Sequence, residues 1–126
     1  MRYMMMIKGN ADYEAGSPPP RALVEGMGRL ATEMARAGVL LSTEGLQPTR
    51  AATKIRYARG RQSVTDGPFA EAKEVVGGYA IVRAASKAEA LALAQRVVDI
   101  HVAAGVQEFE MEIRPLYEMG EGCAPR

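Results

Sequence analysis

Asp66, Glu71, Lys73 and Glu74 fall within nine residues, on the run Asp66-Gly67-Pro68-Phe69-Ala70-Glu71-Ala72-Lys73-Glu74 that leads to the glycine pair Gly77-Gly78. Carboxylates with an amine among them are the ingredients of proton transfer, and equally of a grip on a polar ligand. Asp66 is the candidate catalytic residue, and Glu71, Lys73 and Glu74 are candidate ligand contacts. The same residues have a plainer role, since aspartate, glycine and proline are what a tight turn prefers; Asp66 would then cap the amides near Phe69 and Ala70. Upstream, Arg50, Lys54, Arg56, Arg59 and Arg61 form a basic run with no acid between Glu44 and Asp66. A forked guanidinium contact from Arg56 or Arg59, facing the Asp66 loop, would hold a phosphate or carboxylate there.

Other chemistry is excluded more easily. Cys123 is the only cysteine, which removes internal disulfides and multi-cysteine zinc sites, and it has no identifiable base or metal partner. Glu44, Asp66, Glu71 and Glu74 offer oxygen ligands for a hard cation, but without the spacing of a calcium loop, so no metal is expected. Gly26 and Gly28 sit inside a helical pattern and do not make a phosphate-binding loop, and no cofactor is expected. His101 lies one place beyond Ile100 on a helical stripe, where a half-buried histidine at a helix end needs no catalytic explanation.

The elements that must position these residues follow from hydrophobic spacing. Tyr3-Met4-Met5-Met6-Ile7 is a short strand apolar on both faces, and Lys8-Gly9-Asn10 is a turn. A helix from about Pro18 to Ala37 starts at Ser17 as its cap, carries Leu23, Met27, Leu30 and Met34 as one stripe, and ends at Gly38. Val39–Thr43 is a second strand. Thr53–Tyr57 and Ser63–Thr65 pair through Arg59-Gly60-Arg61 as a polar edge hairpin, with Ile55 and Tyr57 on its dry side. Tyr79–Val82 is a strand, Ser86-Lys87-Ala88-Glu89 opens a second helix with the spacing of a capping box, and Gly105 closes it. Phe109, Met111 and Ile113 then alternate with Glu110, Glu112 and Arg114 as a last strand.

The sum is an α+β, ferredoxin-like split βαβ with an inserted hairpin: an antiparallel sheet with two helices on one face. Met4-Met5-Met6, Met27 and Met34 read as packing residues of a core or a dimer seam. Helices on one face leave the other face of Tyr3–Ile7 and Tyr79–Val82 apolar and open, so two chains are expected to meet sheet to sheet as a homodimer.

The 126 residues, 48% hydrophobic and 25% charged, make one globular domain over residues 1–118 with a flexible tail at 119–126. A net charge of +1 argues against nucleic acid held by bulk electrostatics. The apolar opening is too short for a signal peptide or a membrane span, and the single cysteine fits a cytoplasmic location.

The run Asp66-Gly67-Pro68-Phe69-Ala70-Glu71-Ala72-Lys73-Glu74 with Gly77-Gly78-Tyr79, supported by Glu44-Gly45-Leu46, Pro48 and Ile113-Arg114-Pro115, closely resembles the DGPF branch of the YCII-related proteins. The matched positions add Glu44, Gly67, Pro68, Phe69 and Tyr79 to the candidate ligand contacts. The resemblance implies a dimeric α+β barrel, no assigned reaction, and a link to extracytoplasmic-function sigma factors. Other YCII-related proteins are thought to use a histidine–aspartate pair, and one removes chloride from an aromatic substrate. The histidine expected on the first helix is absent here. The leading expectation is therefore a small-molecule-binding protein with a cleft beside the Asp66–Glu74 loop, which overhangs a cavity formed where two chains join. The alternatives are a small acid–base enzyme, lyase, isomerase or dehydrochlorinase-like, that uses Asp66, and a module that binds a transcription factor through the basic hairpin.

Overall fold

The structure is a computed structural model and describes residues 1–69 and 75–118. Strands β1 (Arg2–Lys8), β2 (Leu40–Gly45), β5 (Val76–Arg83) and β6 (Met111–Pro115) form one sheet in the order β2-β5-β1-β6, with every neighbouring pair antiparallel. Helices α2 (Arg21–Arg36) and α3 (Lys87–Ala103) make the two crossovers. This is the expected ferredoxin-like split βαβ, with β3 (Thr53–Ala58) and β4 (Arg61–Asp66) inserted between β2 and β5 as a separate two-stranded sheet.

Alternation sorts the side chains of the two central strands. Tyr3, Met5, Val82 and Ala84 are buried against Leu30 and Met34 of α2 and Ala90, Ala94 and Val97 of α3. Ile7, Met111 and Ile113 extend this core along β1 and β6. On the opposite face the register sets Met4 beside Ile81 and Met6 beside Tyr79. Those four are half-buried, flanked by Ser42 and Glu44 on β2 and by Glu112 and Arg114 on β6. The methionine run thus divides: Met5 joins the core, and its two neighbours line the open face.

Both helix ends form as expected, with Gly38 at φ +74° and Gly105 at φ +87°, the left-handed geometry that closes a helix. The Ser86 hydroxyl accepts from the Glu89 amide at 3.2 Å, one half of the capping box. At the start of α2 the expectation fails. Pro20 is the capping residue and gives no side-chain bond, while the Ser17 amide donates to the Asp12 carbonyl. The Ser17 backbone instead closes a short helix, α1 (Ala11–Glu14), where a turn alone is predicted. Its start is built on Asn10, whose side-chain oxygen accepts from the Tyr13 amide at 2.9 Å. Four residues are too few to show a helical period.

The hairpin turns on Arg59 at φ 52° and Gly60 at φ 78°, two left-handed residues in a two-residue loop. Ile55, Tyr57 and Val64 share one of its sides by register and are 67%, 72% and 59% exposed. The dry side that the alternation predicts has no cover among the described residues. His101 also departs from expectation: it is buried rather than half-buried, its Nδ1 lies 2.8 Å from the Val97 carbonyl, and its ring stacks on Phe109 at 3.8 Å. A carbonyl only accepts, so that nitrogen carries the proton and donates.

Candidate functional site

The Asp66–Phe69 turn is built onto backbone that precedes it. Residues Thr49–Ala51 form one 3-10 turn, and the Gly67 amide donates to the Ala52 carbonyl at 2.9 Å. A β-carbon on Gly67 would lie 1.6 Å from the Thr49 carbonyl oxygen, so only glycine lets the two strands of backbone approach this closely. The Phe69 amide donates to the Thr49 hydroxyl at 3.1 Å. Lys54 places its ammonium 4.3 Å from the centre of the Phe69 ring, a cation–π contact.

Thr49 is itself held. It is buried, and both its amide and its hydroxyl donate to the Glu14 carboxylate, the amide at 2.9 Å. The bond from the Thr49 hydroxyl, and then the one from its amide, hold the Glu14 pKa below its ordinary value against the opposing effect of burial, and the charge of Arg50 lowers it by a lesser amount. Next to it, burial and the Glu14 charge push the Tyr13 hydroxyl up, which keeps it protonated as the donor to the Leu46 carbonyl at 2.6 Å. The Arg50 guanidinium lies against Gly16. The Gly9 amide donates to the Val75 carbonyl at 2.8 Å and ties the start of β5 to the end of β1. Short helix, 3-10 turn and Asp66–Phe69 segment are thus one hydrogen-bonded unit at one end of the sheet.

The candidate residues separate into three groups. Asp66, Gly67, Pro68 and Phe69 stand together, joined by Lys54. Glu44 and Tyr79 are cross-strand neighbours on the open face of the sheet. Arg56 and Arg59 are on the hairpin, Arg56 opposite Ser63 and Arg59 at the tip. Because Asp66 pairs with Thr53 at the hairpin's base, the tip lies six residues away, about 20 Å at strand rise. One chain therefore does not bring Arg59 to the Asp66 turn, and Arg56 lies on the side of β3 opposite to Thr53. Glu71, Lys73 and Glu74, like Cys123 and the tail at 119–126, lie outside the described residues.

Asp66 is exposed in the single chain, and its carboxylate accepts from the Thr53 hydroxyl at 3.0 Å; it does not cap the Phe69 amide. The cap is supplied by Thr49, a residue that sequence reasoning passes over together with Glu14. The S/T/D/N preference at turns is the one signal that touches Thr49, and nothing local pairs it with a glutamate 35 residues earlier. What the arrangement offers chemically is a fixed backbone wall with the Lys54 ammonium beside it; the Arg50 backbone adjoins Gly67, while its guanidinium lies against Gly16. Among the described residues no group of three histidine, cysteine or acidic side chains could hold a metal ion. An open groove of about 520 Å³ along α2, lined by Gly28, Arg29, Thr32, Glu33 and Arg36, contains none of the candidate residues.

Sheet order, crossover helices and the anchored turn define a small antiparallel α+β domain of the ferredoxin-like kind. The profile of the YCII-related domain matches residues 1–116, and the chain belongs to the YCII-related family. It is also similar to an uncharacterized protein of Rhizobium meliloti (strain 1021), 39% identical over 87 residues, which span 68% of this chain and 67% of that protein. Among the described residues, no helix is long and apolar enough to cross a membrane.

Proposed function

We propose that this YCII-related protein, of the DGPF branch, binds a small anionic molecule beside the Asp66–Glu74 turn and works as a cytoplasmic homodimer rather than through a metal or cofactor. The observation that carries this reading is the fixed turn: Gly67 seated on the Thr49 carbonyl and Phe69 held by the Thr49 hydroxyl, with Lys54 over Phe69 and Arg50 following Thr49 in the same hydrogen-bonded unit. A wall ordered before the ligand arrives spares the cost of ordering it on binding. Cations are what an anionic group needs there, and Arg50 offers the forked geometry that suits a carboxylate or phosphate. Asp66, exposed beside Thr53, forms the polar rim. The family resemblance supports a regulatory setting linked to an extracytoplasmic-function sigma factor.

Native mass spectrometry of the purified protein, incubated with a panel of small carboxylates and phosphates, tests this. At least one is expected to bind stoichiometrically, and Arg50→Ala with Lys54→Ala is expected to weaken it about tenfold or more, as loss of charge-assisted hydrogen bonds requires. Equal retention by the double variant, or no adduct from any compound of the panel, contradicts the proposal.

A further inference from the structure

The β3–β4 hairpin is the part of the molecule whose apolar side the described residues leave without cover. An isolated two-stranded hairpin is marginal in water, and this one has eleven of its twelve strand residues exposed. Its two sides are nevertheless patterned. Ile55, Tyr57 and Val64 share one side. Lys54, Arg56, Arg59 and Arg61 with the single acid Asp66 give residues 53–66 a charge of +3, so the remainder of a +1 chain carries −2. Among the described residues, none of these four cations is within ion-pair distance of a carboxylate.

A matching surface exists on the same molecule. The open face of the sheet has an apolar centre of Met4, Met6, Tyr79 and Ile81. Its edges carry Glu44 on β2 and Glu110 just before β6, two exposed carboxylates that likewise have no ion pair among the described residues. The sheet is four strands wide, about 14 Å at the usual spacing, and a six-residue hairpin of about 20 Å is long enough to cross it.

We infer that the hairpin is an arm exchanged between two copies of this chain. Ile55, Tyr57 and Val64 lie on the partner's Met4–Met6–Tyr79–Ile81 face, and the arm's arginines meet the partner's Glu44 and Glu110. The inference rests on the pairing of chains proposed above and refines it: the arm, and not only sheet against sheet, covers the open face. It also places Arg59 where one chain cannot, on the open face of a second copy that carries Tyr79 and Glu44. A cation from the partner then stands beside the Glu44–Tyr79 pair of each chain.

Sedimentation velocity on the whole chain tests the arm. The wild type is expected to be a dimer at micromolar concentration. The triple variant Ile55→Ser, Tyr57→Ser, Val64→Ser is expected to raise its dissociation constant at least roughly a hundredfold, since buried tyrosines and their neighbours dominate such contacts. Its far-UV circular dichroism should keep the wild-type shape. In a Cys123→Ser background, chains with Tyr57→Cys mixed with chains carrying Ile81→Cys should form a covalent mixed dimer on mild oxidation. A wild-type dimer that the triple substitution leaves intact, with no mixed disulfide, overturns the arm and leaves pairing through another surface. A wild-type monomer overturns both arm and pairing. Retention of a small molecule is read separately, so its failure is not confused with either.

Discussion

Strand β5 and the hairpin β3–β4 both carry apolar side chains and meet opposite fates. Val82 in β5 is fully buried, while Ile55 and Tyr57 in β3 are mostly exposed; β5 is apolar at successive positions along Tyr79–Val82, and β3 only at alternate ones. Alternation sets which side of a strand is apolar; whether that side is dry depends on a second layer. For β5 the chain supplies the layer itself, through α2 and α3. For the hairpin the described residues supply none. The body is therefore covered within one chain, and the inferred pairing assigns the cover of the arm to a second.

The contrast can be broken most severely from the side of the body. Met5 is 2% exposed at the centre of the core, so Met5→Ala should lower unfolding stability by about 3 kcal/mol in urea titration, through lost transfer energy and a cavity. A loss below ~1 kcal/mol would show that the core is looser than its burial implies. Next comes the junction of body and arm. Gly67→Ala forces a β-carbon into the Thr49 carbonyl and should cost about 1–3 kcal/mol, with loss of the anchored turn seen as faster exchange of the Phe69 amide. An unchanged Phe69 amide would mean that the turn does not depend on that approach.

The junction also sets a pH dependence. The Glu14 pKa is lowered in the folded chain from an ordinary 4.5, so its contribution is fully present above that value and is lost as pH falls through the lower folded one. Glu14→Gln should be less stable than the wild type at neutral pH, and the gap should close on acidification. Glu118, held low mainly by the Arg2 amide, loses its contribution in the same direction and remains in both proteins, so it cancels from the comparison. A gap independent of pH would contradict the assignment. The smallest effect belongs to the arm: Val64→Ser, at an exposed position, should shift the stability of the single chain by no more than about 0.5 kcal/mol in dilute urea titration. A larger loss there would mean that the arm packs on its own body.

These regions also differ in how far the sequence reveals them. Leu23, Met27, Leu30 and Met34 repeat over three turns of α2, and the crossover order leaves one sheet layout open, so the body is readable from spacing. The start of α2 is not, because Ser17 is near enough to serve either α1 or α2 and only the competing bond to Asp12 decides between them. The candidate site is readable as a motif and not as a structure. Asp66-Gly67-Pro68-Phe69 announces a turn, but the groups that fix it are Thr49 and Glu14, the latter 52 positions before Asp66, and such meetings leave no local pattern. Arg59 is close to Asp66 in sequence and is carried away from it by the hairpin.

Hydrogen exchange measured across a range of protein concentrations tests most directly the idea of a self-sufficient body and a dependent arm. The amides of Tyr79–Val82 should stay protected at every concentration, while those of β3 and β4 should exchange quickly in dilute solution and become protected as chains pair. Protection of the arm at dilutions where the protein is monomeric, or rapid exchange of the arm at all concentrations, would contradict it.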